Sequence, residues 1–217
     1  MIDILSYFKE KKLDIKVLAF PDNELKKIRN KEKFIITDDR DNADYVYLVK
    51  DLIELKGRKY DGKRNLIRKF NKLYKYEFVE LKKKMIYECV EFQKRWIKLK
   101  NCKNDPNFIK ENNAALEILN NYSSLPLTGA VLKIFGKVEG YTIASQINKD
   151  MVGVIIEKAN PEYKGIYQVI NNLFCKEFLY KYRYVNRQQD TGDPGLRKAK
   201  LSYNPKRLII KYQVSLR

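Results

Sequence analysis

The sequence predicts a mixed central β-sheet with flanking helices, which places the chain in the α/β or α+β class. Three observations support this class. Short helical and strand-like segments alternate over the first 80 residues. Two neighbouring strands joined by a glycine-containing turn are predicted between residues 127 and 147. The continuous apolar segment 152–159 then leads through a loop into a helix, as a central strand covered on both faces does.

The elements of the first 81 residues are short. Apolar spacing and turn residues first predict a helix near residues 4–8, a strand at 15–20, a short helix from 21, and strands at 34–37 and 45–49. A helical turn follows at 51–55, capped by Asp51 and closed by Gly57. A basic helix up to residue 75 and a strand at 76–81 complete this part of the chain.

The later elements are longer. We predict a helix at 83–100, a helix opened by Asp105 and Pro106 and running to about 120, strands at 127–135 and 141–147 joined by a turn at 136–140, a strand at 152–159, a helix from 166 to about 180, a strand at 182–186 and a polar loop at 187–195. Asp193 is expected to cap a further helix that begins at Pro194.

Composition excludes several kinds of protein. The chain has 217 residues, 44% of them hydrophobic, which is enough for a packed core and argues against disorder. It contains no histidine, which removes Ser-His-Asp and Cys-His catalysis and the commonest metal ligand. Cys89, Cys102 and Cys175 are widely spaced and predict neither a disulfide framework nor a metal site. No signal peptide or membrane-spanning run is recognisable, so we expect a cytoplasmic protein.

The charge favours a polyanionic partner. Lysine and arginine number 45 against 27 acidic residues, giving a formal charge of +18. Residues 56–75 contain nine cations and one acid, and the apolar positions of this segment recur at helical spacing. Four of these cations are the predicted polyanion-binding residues: Lys59, Lys63, Arg64 and Arg68. A solvated basic face without a ligand explains the same pattern equally well.

The order of the later elements resembles the scaffold of GNAT-like acyltransferases. Two motifs make the resemblance more specific. One runs from Tyr45-Val46-Tyr47 through Asp51-Leu52 and Leu55-Lys56-Gly57-Arg58-Lys59-Tyr60 to Lys63-Arg64-Asn65 and Phe70. The other runs from Tyr184-Val185-Asn186-Arg187-Gln188-Gln189-Asp190-Thr191-Gly192 to Tyr203-Asn204-Pro205. Together with Lys158-Ala159-Asn160 and Gly165, they are similar to a bacterial family, tandem GNAT-like, that resembles the C-terminal domain of phosphatidylglycerol lysyltransferases and is related to aminoacyl-tRNA-dependent transferases of the Fem type.

The resemblance implies a division into two domains. Residues 1–80 would be a partial N-terminal GNAT-like domain that lacks its start, and residues 81–217 a C-terminal GNAT-like transferase domain. It also implies acyl or aminoacyl transfer from a tRNA or a thioester donor, such as acyl-CoA, to a lipid headgroup or another amine or hydroxyl acceptor. No metal is expected.

The expected donor site is the start of the helix after the central strand, where backbone N–H groups can bind phosphates or an oxyanion. The residues predicted to bind the donor are Tyr163, Lys164, Gly165, Ile166, Tyr167, Asn186, Arg187 and Lys200. An ordinary strand-to-helix turn is the alternative at Gly165, because the usual second small residue of such a loop is missing.

Acyl transfer on this scaffold needs no enzyme nucleophile, but it needs a proton acceptor and can use a proton donor. Without histidine, the acceptor would be a carboxylate or water and the donor a tyrosine. Asp190 and Glu157 are the predicted bases, and Tyr203 and Tyr184 the predicted acids. Replacing Asp190 by alanine is then expected to abolish transfer and leave the melting temperature nearly unchanged.

Other interpretations stay open at the level of sequence. The chain can be a non-catalytic module that binds nucleic acid or an anionic membrane on a transferase scaffold, or a degenerate fragment without activity. The expected partners are tRNA, an anionic lipid headgroup, a small acyl acceptor and a second copy of the chain. A lipid acceptor would bring the protein to the inner face of the membrane as a peripheral protein.

Overall fold

The computed structural model describes residues 7–8, 10–11, 13, 15–100 and 106–217. The helix predicted near residues 4–8 lies largely outside this range, and so does Asp105. The helices and strands are β1 (Val17–Pro21), α1 (Asp22–Leu25), β2 (Phe34–Asp38), β3 (Asp44–Leu48), α2 (Val49–Glu54), α3 (Asp61–Leu73), β4 (Tyr76–Glu80), α4 (Ile86–Lys100), α5 (Pro106–Asn120), β5 (Leu127–Ile134), β6 (Lys137–Gln146), β7 (Met151–Ala159), α6 (Ile166–Glu177), β8 (Tyr184–Asn186), α7 (Pro194–Leu201), β9 (Arg207–Ile209) and β10 (Lys211–Leu216).

Packing divides the chain into two compact units. The first contains the described residues up to Val46 together with Arg187–Arg217, and the second is Tyr47–Asn186. These units do not coincide with the ranges 1–80 and 81–217 predicted from sequence. The predicted ranges describe GNAT-like domains, and that assignment stays a prediction.

The first unit contains a three-stranded antiparallel sheet in the order β1-β10-β2. Phe34 on β2 and Val214 on β10 are its buried centre. The first residues of β3 also lie in this unit and pair antiparallel with β9. The C-terminal strands β9 and β10 therefore belong to the same unit as the N-terminal strands.

The second unit is built on the strands β4-β5-β6-β7-β8. Strands β4 to β7 pair antiparallel, whereas β7 and β8 pair parallel across the connection that contains α6. A parallel pair needs such a crossover because its strands run in the same direction. The predicted class, a mixed sheet with flanking helices, is confirmed.

Two hydrophobic clusters cover the two faces of this sheet. On one face, α4 and α5 pack on alternate strand residues such as Val131 and Tyr141. On the other face, α3 and α6 pack on neighbours such as Leu132 and Ile134. Successive strand residues point to opposite faces, so an uninterrupted apolar run is what a sheet covered on both sides requires.

Several boundaries differ from those predicted. The hairpin turn is Phe135-Gly136 rather than residues 136–140, because β6 already begins at Lys137. Helix α2 begins after Leu48 and ends at Leu55 in the left-handed conformation, so Asp51 lies in its first turn and does not cap it. The predicted cap Asp193 is confirmed, since its carboxylate accepts a hydrogen bond of 2.6 Å from the amide of Leu196.

Candidate functional site

The polar loop after β8 is organised around the carboxylate of Asp190, which has no solvent exposure. Arg197 binds both of its oxygens, with Nε 2.9 Å from Oδ2 and Nη2 2.9 Å from Oδ1. The Tyr45 hydroxyl donates to Oδ2 at 2.5 Å, the Gly192 amide to Oδ1 at 3.0 Å, and Arg40 adds a longer contact of 3.3 Å. The ionised form of this buried carboxylate is stable because each of its oxygens is paired with a charged or polar donor.

These partners set the ionisation of the site. The Arg197 guanidinium, helped by the hydrogen bonds from Tyr45 and Gly192, holds the pKa of Asp190 far below its ordinary value, although burial alone would raise it. Burial is the main cause that raises the pKa of the Tyr45 hydroxyl. A carboxylate that binds protons this weakly is a poor acceptor near neutral pH. The pairing with Arg197 is that of a carboxylate that anchors its loop, and the role of general base stays a prediction for Asp190.

The other predicted residues of this loop brace its backbone. The ammonium group of Lys200 donates to the carbonyl oxygens of Arg187 and Gln188. The Arg187 guanidinium lies 4.9 Å from the ring centroid of Tyr203, which is itself almost fully buried. The structure thus brings Asp190, Arg187, Lys200 and Tyr203 together on one loop, the helix α7 that follows it and the turn after that helix. Their roles as donor-binding residues and acid stay predictions.

At the start of α6, the predicted donor site, Gly165 and Ile166 both have roles in the fold. The Ile166 amide donates to the Tyr163 carbonyl at 3.0 Å and is not available to a ligand. Gly165 has φ of +102°, and a Cβ atom there would lie 2.8 Å from the carbonyl oxygen of Leu66 on α3. Glycine is therefore required by helix packing, and the ordinary strand-to-helix turn accounts for this position.

The neighbouring predicted residues also have packing partners. The hydroxyl of Tyr167 donates to the Ala159 carbonyl at 2.9 Å and accepts a contact of 3.4 Å from the Trp96 indole. The ring of Tyr163 meets that of Tyr74 edge-on, with centroids 5.0 Å apart. Of the five residues predicted here, Lys164 has an exposed side chain.

Glu157 and Tyr184, a predicted base and a predicted acid, lie far apart in the second unit. Glu157 is half-buried on β7 opposite Thr142, and Tyr184 on β8 pairs with Met151. Met151 and Glu157 are six residues apart on one strand, which corresponds to about 20 Å. These two side chains cannot serve one reacting group together. Asn186 lies at the end of β8, buried and opposite Gly153.

In the basic segment 56–75, one of the predicted polyanion-binding residues has a structural role. Arg64 pairs with Asp61 and donates to the carbonyl oxygens of Leu55 and Gly57, so it closes the connection between α2 and α3. Lys59 and Arg68 are exposed, and Lys63 is half-buried. The exposed members of the predicted set remain accessible to an anionic partner.

Glu139 and Lys158 are two of the buried charged residues that were not singled out from sequence. Glu139 accepts from Arg95 at 3.2 Å and from the amide of Asn160 at 3.0 Å. Lys158 lies 4.1 Å from the ring centroid of Trp96 and pairs with Glu111. Lys158 and Asn160 belong to a segment that carries the family resemblance. That resemblance is the feature of the sequence that could have pointed to these two buried charges.

Within the described ranges, no cluster of three acidic or cysteine side chains could hold a metal ion. Cys89 and Cys175 are buried and form no disulfide, and Cys102 lies outside the described residues. Every helix in the described part of the chain is too short or too polar to span a bilayer.

Comparison with known proteins identifies relatives. A protein of unknown function from Bacteroides thetaiotaomicron is 36% identical, with a TM-score of 0.91, over 99% of this chain and 74% of that chain. The structure of L-PGS from Bacillus licheniformis is 13% identical with a TM-score of 0.66, over 99% of this chain and 71% of that chain. The C-terminal DUF2156 domain of a candidate lysylphosphatidylglycerol synthetase from Agrobacterium fabrum is 12% identical with a TM-score of 0.72, over 98% of this chain and 70% of that chain. Likeness at such low identity shows the fold alone.

A curated relative, the uncharacterised protein MYCGA3080 of Mycoplasmoides gallisepticum, is 24% identical over 178 residues. The match covers 81% of this chain and 56% of the relative, so the chain spans little more than half of that protein's length. The family model described as "Phosphatidylglycerol lysyltransferase, C-terminal" matches residues 3–215. The chain belongs to the family of the phosphatidylglycerol lysyltransferase C-terminal domain.

Proposed function

We propose that the chain is a transferase that moves an aminoacyl or acyl group from a tRNA or thioester donor to a lipid headgroup or another amine or hydroxyl acceptor. The observation that carries this proposal is the family match over residues 3–215, supported by a sheet in which antiparallel strands lead into the parallel β7-α6-β8 unit. Aminoacyl-tRNA suits the charge of +18, because neutralisation of phosphates supplies much of the affinity for RNA.

The catalytic step would be direct attack of the acceptor on the donor ester. The acceptor nitrogen or oxygen forms the new bond to the acyl carbon, the donor hydroxyl or thiol leaves, and one proton passes from acceptor to leaving group. The depressed pKa of Asp190 argues against that residue as the proton acceptor, so Glu157 is the predicted base that we test. Asp190 would instead fix the loop that carries Arg187, while Lys200 braces the same loop.

The test supplies each donor separately. Purified protein is incubated with phosphatidylglycerol vesicles and either radiolabelled lysyl-tRNA or radiolabelled acetyl-CoA, and lipids are separated by thin-layer chromatography. A labelled lipid with one donor identifies that donor, and no labelled product with either refutes transfer to this lipid. Free amines, such as polyamines, form a second acceptor series.

The Glu157→Gln variant tests the base. We expect a fall in kcat of about 10²–10⁴-fold, typical of a lost general base, with the melting temperature retained. Glu80→Gln, at an exposed position of β4, is the matched control and should react like the wild type. Equal activity of Glu157→Gln and the wild type would remove this residue from the mechanism.

A second candidate function, binding of nucleic acid or an anionic membrane without catalysis, is favoured by the structural engagement of Asp190 and Ile166. In that case RNA binding should weaken steeply with salt, since released counterions drive such binding. Tight, salt-dependent binding of uncharged tRNA without product from any donor would support it over the transferase.

A further inference from the structure

The turn between β5 and β6 carries a phenylalanine at its tip. Phe135 and Gly136 form a two-residue loop that joins the paired residues Ile134 and Lys137. The side chain of Phe135 is 84% exposed. Burial of such a ring stabilises a protein by about 1.5–3 kcal/mol, and here the fold gains almost none of that.

The backbone at this position also disfavours phenylalanine. Its φ is +50°, and that of Gly136 is +74°, so both loop residues have the positive φ of a tight hairpin turn. Asparagine is preferred at the first loop position, whereas a bulky residue with positive φ is uncommon and strained. The backbone conformation of Phe135 therefore destabilises the fold, and its exposed ring adds little stabilisation by packing. This combination is expected where a residue contacts a partner.

Other apolar side chains are exposed at the same end of the sheet. Tyr87 on α4 is 73% exposed and lines one shallow groove with Phe135. Leu73, the last residue of α3, is 67% exposed and lies three residues before Tyr76, which pairs with Ile134. We name Leu73, Tyr87 and Phe135 the tip patch.

Exposed cations lie next to Leu73 and Phe135 of the tip patch in sequence. Lys72 and Lys75 flank Leu73, and Lys137 follows the hairpin loop. The nearby carboxylate of Glu88 is neutralised by Lys133 at 2.6 Å, which leaves Glu77 as an exposed acid on β4.

Glu91, which also lines the groove beside Tyr87, is paired with Lys94 at 2.7 Å. The surface around the tip patch is therefore cationic, with apolar side chains projecting from it.

We propose that the tip patch docks on the surface of an anionic lipid bilayer, with Phe135 inserted at the headgroup boundary. A protruding ring flanked by lysines suits a bilayer interface, where apolar burial and attraction to anionic lipid add together. The charge complementarity selects anionic over neutral lipid. Docking does not depend on the proposed transfer reaction, and it is tested without turnover.

The experiment measures flotation of the intact chain with vesicles of phosphatidylglycerol or of phosphatidylcholine. We expect binding to phosphatidylglycerol only. Phe135→Asn should weaken that binding about tenfold or more, because about 1.5–3 kcal/mol of ring burial is lost. This substitution places the preferred residue in the turn, so circular dichroism and melting should show a folded protein. Lys72→Gln should cost about fivefold.

Tyr180→Ser is the matched control. Tyr180 is 69% exposed and lies between α6 and β8, at the end of the sheet opposite the hairpin, and its replacement should leave vesicle binding unchanged. Three results would overturn the proposal: no preference for phosphatidylglycerol, unchanged binding of Phe135→Asn, or an equal loss in Tyr180→Ser.

Insertion can also be observed directly. The chain has one tryptophan, Trp96, which is 5% exposed. The Phe135→Trp variant should therefore report a new fluorescence signal that brominated lipids quench. If the added fluorescence of the Phe135→Trp variant stays unquenched while the protein is bound to brominated vesicles, insertion is contradicted.

Discussion

Replacing Asp190 by asparagine removes one negative charge from a buried cluster and changes almost nothing in shape. The variant leaves Arg197 and Arg40 without their shared carboxylate. Removing one partner of a buried ion pair costs about 3–5 kcal/mol. Here the side chains of Arg40 and Arg197 are 38% and 34% exposed, so water can solvate the released charges. We therefore expect a smaller loss of unfolding free energy, about 2–3 kcal/mol.

For a chain of this length, that loss corresponds to a melting temperature lower by about 5–10 °C, measured by circular dichroism or calorimetry. Asp193→Asn is the matched control: its exposed carboxylate caps α7, and asparagine caps a helix equally well, so its melting temperature should not change. A wild-type melting temperature for Asp190→Asn would refute the structural role. It would also restore the sequence-based expectation that Asp190 acts in chemistry without supporting the fold.

The pH dependence of the same variant gives an independent check. The pKa of Asp190 is lowered on folding, so its ionisation stabilises the folded state above the unfolded pKa of about 3.9. As the pH falls below that value, the unfolded chain binds a proton that the folded chain does not, and the stabilisation is lost. The difference in unfolding free energy between the wild type and Asp190→Asn should therefore shrink below about pH 4. A difference that stays constant or grows on acidification would contradict the assignment.

Three further predictions concern the second unit. Gly165→Ala should lower the unfolding free energy by about 1–3 kcal/mol in urea titrations, because φ is +102° and the added Cβ meets the backbone of α3, whereas Gly62→Ala, which adds its Cβ in open space, should be neutral or stabilising. Tyr141→Phe should cost about 1–3 kcal/mol by the same measurement, since it deprives the buried Gln93 of a hydrogen bond of 2.7 Å. Burial raises the pKa of the Cys89 thiol to about 12, so a thiol reagent should label this residue only after denaturation; rapid labelling of the native protein would contradict its burial.

Much of the second unit was predictable because its signals are local. Strands β5, β6 and β7 are long and apolar, and the helices that cover them show regular apolar spacing. The error at the hairpin has a local cause as well. Glycine suggested a turn after residue 135, but the positive φ at Phe135 is a conformation that its residue type does not predict.

The strands β9 and β10 were not predicted. β10 is the middle strand of its sheet, yet Val214 is its single fully buried residue, so the apolar pattern along the strand is weak. Its position comes from pairing with β1 and β2, which lie near the other end of the chain. Pairing partners at such separation leave no trace in a local sequence pattern.

The site shows the same division. The sequence indicated that the polar loop around Asp190 contains candidate functional residues. In the structure, hydrogen bonds and ion pairs hold the residues of this loop together. The partners Arg40 and Tyr45 lie 150 and 145 residues away in sequence, and they reach Asp190 because Tyr45 exchanges backbone hydrogen bonds with Gln188 and Arg187. Whether that carboxylate accepts a proton or anchors a loop depends on those neighbours.

The sequence by itself determined the class of fold, the family and the residues that carry charge, because periodicity, composition and motifs are properties of neighbouring residues. The tertiary structure alone decided which of these groups are ionised, paired or open to a partner. A side chain's pKa and exposure depend on atoms that distant segments bring within a few ångströms of it.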